Sequence, residues 1–214
     1  MYLSRMELDV KNRRTMAALA SPNLFHGAVE SAFSGGRQRR LWRIDRLGER
    51  CYLLLLSGEK PDLNAAARQF GPAGLQPAWE TRDYNPLLSR ISAGGVWQFR
   101  LVANPTVSKS APGSEETRGQ VFAHITPAHQ EAWLTSRAAG HGFAVRENEF
   151  QVLRSEWFSF RKGSDGRNVS FLAVSYEGLL TVTDADLFCR TLTVGMGRGK
   201  AYGMGLLTVV RAQG

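Results

Sequence analysis

Apolar and polar positions along this chain lay out one order of elements and then repeat it. Met1 to Val10 alternates weakly and predicts a strand. Ser21-Pro22 predicts a helix start, with serine as N-cap and proline at the first helical position. Phe25, Ala28, Val29, Ala32 and Phe33 then take the spacing of a buried helical stripe, which Gly35-Gly36 ends. Leu41 to Asp45 and Cys51 to Ser57 read as two strands joined by a turn near Gly48, and Pro61 to Phe70 as a second helix with Leu63, Ala66, Ala67 and Phe70 on one face. The glycine- and proline-rich stretch from Gly71 to Gly95 reads as a last short strand plus a linker. That order is most of a ferredoxin-like βαββαβ unit.

The same order recurs downstream. Val96 to Ala103 sets Trp97, Phe99 and Leu101 against Gln98 and Arg100, a strand. Asn104 to Gln120 is polar and reads as a mobile loop. Thr126-Pro127 opens a helix that Gly140 ends. Phe143 to Arg146, Phe150 to Arg161 and Asn168 to Tyr176 read as strands, with a basic hairpin tip from Arg161 to Arg167 between the last two. Thr183 or Asp184 caps a final helix, and a glycine-rich loop joins it to a closing strand. The expected fold class is therefore α+β, in two βαββαβ domains over residues 1–90 and 95–214.

Charge narrows the partner class. The chain carries 27 Lys plus Arg against 19 Asp plus Glu, a net charge of +8 over 214 residues. The isoelectric point near 10.0 is that of a nucleic-acid footprint, though such an excess also fits an acidic membrane surface. No apolar run approaches membrane-spanning length and no leader pattern opens the chain, so the expectation is a cytoplasmic protein with no membrane partner. Cys51 and Cys189 lack paired spacing, and His26, His124, His129 and His141 lack a metal-binding pattern, so neither a metal nor a cofactor is expected.

The densest chemistry lies in Val194-Gly195-Met196-Gly197-Arg198-Gly199-Lys200-Ala201-Tyr202-Gly203-Met204-Gly205. Glycine permits positive φ and a close approach to a ligand. Successive backbone N–H groups make a concavity for anions, and Arg198, Lys200 and Tyr202 suit phosphate plus sugar or base. Neither a P-loop nor a dinucleotide fingerprint fits: Gly199-Lys200 is followed by Ala201, and the third glycine of the fingerprint would fall on Lys200. The plain alternative is a turn feeding the last strand. His26 lies ~100° round the helix from Phe25, on the flank of the apolar stripe near Asn23 and Glu30, where it faces solvent or a cleft and can transfer a proton. Nearby cations would disfavour its protonated form, and an ordinary surface histidine is the alternative. Arg161, Lys162 and Arg167 could reach along a duplex backbone or form a solvated tip. Arg37, Arg39, Arg40, Arg43, Arg46 and Arg50 read mostly as a solvated face with a general electrostatic role. Trp97, Phe99, Phe158 and Phe160 could stack bases, but their alternation favours the core. His124 and His129 fall at a helix start without a role.

Met1-Tyr2-Leu3-Ser4, Leu24-Phe25-His26, Phe99-Arg100-Leu101-Val102-Ala103-Asn104-Pro105, Glu177-Gly178-Leu179-Leu180-Thr181-Val182 and the glycine loop occur in that order. Together they resemble the CasE family of CRISPR repeat-RNA endoribonucleases, subunits of the subtype I-E Cascade complex, and the resemblance spans nearly the whole chain. It implies two tandem ferredoxin-like, RRM-type domains. It also implies metal-independent cleavage of CRISPR precursor RNA at the 3′ base of the repeat stem-loop, leaving 5′-hydroxyl and 2′,3′-cyclic phosphate ends. The mature crRNA stem-loop and other Cascade subunits would be its lasting partners; the alternative is a non-catalytic RRM-type RNA-hairpin-binding subunit. His26 falls on the family's catalytic histidine, the loop with Gly195, Gly197, Arg198, Gly199, Gly203 and Gly205 on its RNA-backbone loop, and Arg161 and Lys162 on its stem-engaging hairpin. Some members carry a tyrosine three residues before the histidine; here that position is Asn23, which can bind or orient the scissile phosphate but is a poor proton donor. Tyr202 or Lys200 could supply the missing group.

Overall fold

A run of four leucines, Leu53 to Leu56, lies in the middle of the first sheet, and its two faces serve two different cores. The computed structural model describes residues 1–36, 38–109, 120–162 and 166–212, with the side chains of Lys162 and Arg167 not included. The first half runs β1 (Tyr2–Leu8), α1 (Arg13–Ala20), α2 (Asn23–Ser31), β2 (Leu41–Leu47), β3 (Arg50–Ser57), α3 (Asn64–Phe70) and β4 (Trp79–Asp83). Its sheet order is β2-β3-β1-β4 with every neighbour antiparallel, so each βαβ crossover is split by an inserted strand, as in the ferredoxin-like arrangement. Side chains alternate across a strand. Leu53 and Leu55 of β3 join Phe25, Trp42 and Phe70 under the helices, whereas Leu54 and Leu56 pack into the core of the second half. No face is left for solvent, and the polar alternation of a half-exposed strand disappears.

A short helix, α4 (Asn85–Leu88), leads to the second half: β5 (Val96–Ala103), β6 (Thr106–Lys109), β7 (Gln120–Ala123), α5 (Pro127–Ala138), β8 (Phe143–Ala144), β9 (Phe150–Lys162), β10 (Arg167–Val182), α6 (Ala185–Val194) and β11 (Leu207–Arg211). The order β11-β5-β10 continues to β8 and β9, both antiparallel on β10, which repeats the topology of the first half. Trp97, Phe99 and Phe160 are buried, as core residues should be, and Phe158 is half-buried. Among the described residues no helix is long and apolar enough to cross a membrane.

Several local expectations change. The helix α1 was not anticipated; its side-chain cap is Asn12, which accepts from the Arg14 N–H. Ser21 consequently ends α1 instead of capping α2, and Pro22 takes the N-cap position of α2 without a side-chain cap. The helix after Thr126-Pro127 runs past Gly140 as a 3-10 turn and stops at Gly142, where φ is +78°. Thr106 to Lys109, read as loop, pairs with β7 as a two-stranded ribbon; residues 110–119 of that expected loop, Arg37 and the tip residues 163–165 lie outside the described residues. At α6 the cap is Asp184, whose carboxylate accepts from the Leu187 N–H at 2.9 Å. Asp184→Ala is expected to lower stability by about 1 kcal/mol in urea denaturation; an unchanged midpoint would show that the cap contributes nothing.

Candidate active site

The strand β2 is the seat on which the two best sequence candidates meet. On α2, Phe25 is buried against Phe70 at 5.0 Å and Trp42 at 6.0 Å between ring centroids, which fixes the rotation of the helix. His26, next in sequence, is consequently half-buried on the flank of the stripe. Asn23 opens the helix one turn earlier, and its Oδ1 is buried without a hydrogen-bond partner among the described residues. The 3-10 turn Lys200–Tyr202 of the glycine loop packs directly against α2. Residues nearly the full chain apart, His26 and Asn23 on one side and Lys200 and Tyr202 on the other, thus lie on elements that touch.

The loop is rigid for reasons internal to the protein. Its ends are closed by Met196 N–H donating to the Gly205 carbonyl at 3.0 Å and by Gly205 N–H donating to Val102 at 2.7 Å. Gly203, at φ +81°, leaves room for the Trp42 ring, which a β-carbon would meet at 2.7 Å. Gly205, at φ +87°, lies against the Met196 carbonyl. Gly195, Gly197 and Gly199 also have positive φ, with Gly195 against Leu41 and Gly197 over the Trp133 ring. The close approaches at Gly195, Gly203 and Gly205 are therefore to the protein's own strands and loop. Met196 and Met204 point inward and are fully buried, while Arg198 points out and is exposed.

Tyr202 stacks on Phe171 with centroids 5.2 Å apart and meets Phe160 edge-on at 5.5 Å. Those rings belong to the β9–β10 hairpin, in which Arg161 pairs with Asn168 and Lys162 with Arg167. Arg161 is exposed one residue beyond Phe160. The aromatic cluster thus ties the loop to the basic hairpin. The side chains of Lys162 and Arg167 lie outside the described set.

Electrostatically the loop is poised for an anion. Lys200 Nζ donates to the Gly197 carbonyl at 2.8 Å, and burial together with the Arg39 charge pushes its pKa down. An incoming phosphate would act against this shift through its opposite charge. Among the described residues no group of three His, Cys, Asp or Glu is placed to hold a metal ion.

Sequence reading missed the pin between the halves. Arg39, Arg46 and Arg50 are exposed as expected, but Arg40 and Arg43 are buried. Arg40 pairs with Glu30 at 2.7 Å beneath α2. Arg43, 1% exposed, makes a bidentate pair with Asp45 and donates to the Arg100 and Leu206 carbonyls and to Thr208. Its partners lie in both halves, and Leu206 is the exit of the glycine loop. One signal was available: Arg43 and Asp45 are two apart, so they share a face of a strand otherwise rich in apolar residues.

Comparison with known proteins follows this geometry. Residues 1–211 match a family model described as CRISPR associated protein. The chain is 32% identical to the CRISPR-associated endoribonuclease Cse3 of Thermus thermophilus over 227 residues, covering 98% of this chain and 99% of that one. It is 27% identical to the CRISPR system Cascade subunit CasE of Escherichia coli over 75% of each chain. The structure of Thermus thermophilus Cse3 bound to an RNA representing a pre-cleavage complex superposes with a TM-score of 0.77 at 28% identity, covering 98% of both chains.

Proposed function

Because this chain belongs to the CRISPR associated protein family, we propose that it is an endoribonuclease that processes CRISPR precursor RNA and stays with the mature crRNA as a Cascade subunit. One observation carries the reading at the level of chemistry: the helix bearing His26 packs against the turn bearing Lys200 and Tyr202. The working location is the cytoplasm, and the functional units are taken as residues 1–90 and 95–214.

The nucleophile is the 2′-hydroxyl of the nucleotide before the cut, attacking its own 3′-phosphate in line. The protein needs only to align the two, move protons and stabilise charge on phosphorus. His26 transfers a proton to or from the reacting oxygens. Lys200 and the loop N–H groups face the phosphoryl oxygens, Tyr202 borders them, and Asn23 orients the scissile phosphate through its amide. Gly195, Gly197, Gly199, Gly203 and Gly205 hold the backbone in the shape that aims those N–H groups. Arg198 holds the RNA backbone, while Arg161, Lys162 and Arg167 engage the A-form stem, where shape and phosphates dominate recognition.

Single-turnover cleavage of a repeat-derived hairpin tests this. Wild-type protein is expected to cleave in EDTA and to leave a 2′,3′-cyclic phosphate, and a single 2′-deoxy nucleotide at the cut is expected to bind but resist cleavage. Activity lost in EDTA and restored by magnesium sinks the mechanism. Asn23 in place of a tyrosine favours one second reading, a non-catalytic hairpin-binding subunit, for which the same assay gives tight binding without product.

A further inference from the structure

A cavity of about 390 Å³ opens beside the glycine loop, between the β6–β7 ribbon and α5. Arg198 enters it from the loop, Arg137 and Ser136 from α5, and Ser108 and His124 from the ribbon side, with Trp133 among its walls. Three features set it apart from an incidental hollow. First, no carboxylate lines it, and neither Arg137 nor Arg198 has an acidic partner among the described residues. The cleft between the halves, about 330 Å³, is the opposite case: Arg43 faces Asp45, Arg154 faces Glu156 and Arg100 faces Glu177. Three of its four arginines are paired, Arg46 alone having no acidic partner among the described residues, so an anion gains less there.

Second, Trp133 is 5% exposed and its indole N–H is buried with no acceptor among the described residues. A buried unpaired donor costs about 1–3 kcal/mol, and this one stands in the wall of the cavity. Third, the cavity is continuous with the loop. The Trp133 ring lies against Gly197 and the Arg137 guanidinium sits 5.1 Å from the centre of the same ring, while Lys200 donates to the Gly197 carbonyl. Burial, with the charges of His129, Arg137 and Lys109, also holds His124 below its ordinary range, as expected where positive charge has no counter-ion. Donors of every kind converge here, and no opposing charge does.

The geometry points to a second phosphate site: this cavity takes a phosphodiester of the single-stranded RNA flanking the repeat stem, held by Arg137 and Arg198 beside the Trp133 ring. The inference rests on the endoribonuclease reading and extends the RNA path beyond the scissile phosphate. It turns a hairpin binder into a reader of hairpin plus flank, so that an isolated stem-loop would be a poorer ligand than a repeat inside its transcript.

The test is fluorescence anisotropy with two RNAs: the repeat hairpin trimmed at the scissile nucleotide, and the same hairpin with its single-stranded flanks and a 2′-deoxy nucleotide at the cut, which keeps it intact. The readout is the ratio of the two affinities within one protein, which cancels any loss of folded material. Wild type is expected to prefer the flanked RNA. Arg137→Gln is expected to lower that ratio about tenfold, one charge-assisted contact, and to reduce the salt slope for flanked RNA by about 1. Ser108→Asp, which adds a negative charge at an exposed position of the cavity, is expected to lower the ratio in the same way. A ratio unchanged in both variants, or a wild type that does not distinguish the RNAs, overturns the second site. A wild type that binds neither RNA overturns the function on which the site depends.

Discussion

His26→Ala is expected to lower single-turnover cleavage of the repeat hairpin by about a hundred- to ten-thousand-fold, the range for removing one general acid or base, with hairpin affinity held within a few-fold. The reason is positional. Phe25 is locked against Trp42 and Phe70, and α2 rests on the turn Lys200–Tyr202, so the helix that carries His26 is fixed in rotation beside the loop. Alanine removes the proton-transfer group and leaves those packing contacts in place, so binding and catalysis should separate. Equal losses in affinity and rate would assign His26 to RNA binding. An unchanged rate would remove it from the mechanism and leave Lys200 and Tyr202 as the groups to test.

The second large effect is structural. Arg43→Met is expected to destabilise the protein by about 3–5 kcal/mol, because it removes the bidentate partner of the buried Asp45 carboxylate, leaving it only Arg100 at 3.7 Å, and takes a donor from the Arg100 and Leu206 carbonyls. Arg46→Met, three residues on and exposed, should stay within about 0.5 kcal/mol of wild type. Adding Asp45→Leu to Arg43→Met should recover much of the loss, since an apolar pair of similar size carries no unpaired charge. Urea midpoints measure all three. Arg43→Met unfolding together with wild type would mean that the halves are held by their apolar contact alone, through Leu41, Leu54 and Leu56.

Local periodicity made the element order legible almost throughout, because a strand or helix is signalled by its own spacing. It failed where an element is short or where tertiary contact supplies the reason for it. The helix α1 is only eight residues long with its apolar residues in one run rather than at helical spacing, and only Thr15 and Ala18 are buried. β6 is four residues long and exists because β7 pairs with it. The candidate site was legible as separate residues: an imidazole beside an apolar stripe, a glycine loop with two cations and a basic hairpin. The seat beneath them was not.

By itself the sequence determined two βαββαβ halves, the loop that breaks them and the places of His26, Arg198, Lys200 and Tyr202, all properties of neighbours in the chain. Only the tertiary structure decided which charges are free. Arg43 and Arg46 look alike in the sequence, yet one is buried on partners up to 165 residues away and the other faces water. Likewise only packing decided that Gly203 makes room for Trp42, and that Arg137 and Arg198 share a cavity without a carboxylate. Burial and pairing are set by what long-range contacts bring within a few ångströms, and local spacing carries no record of them.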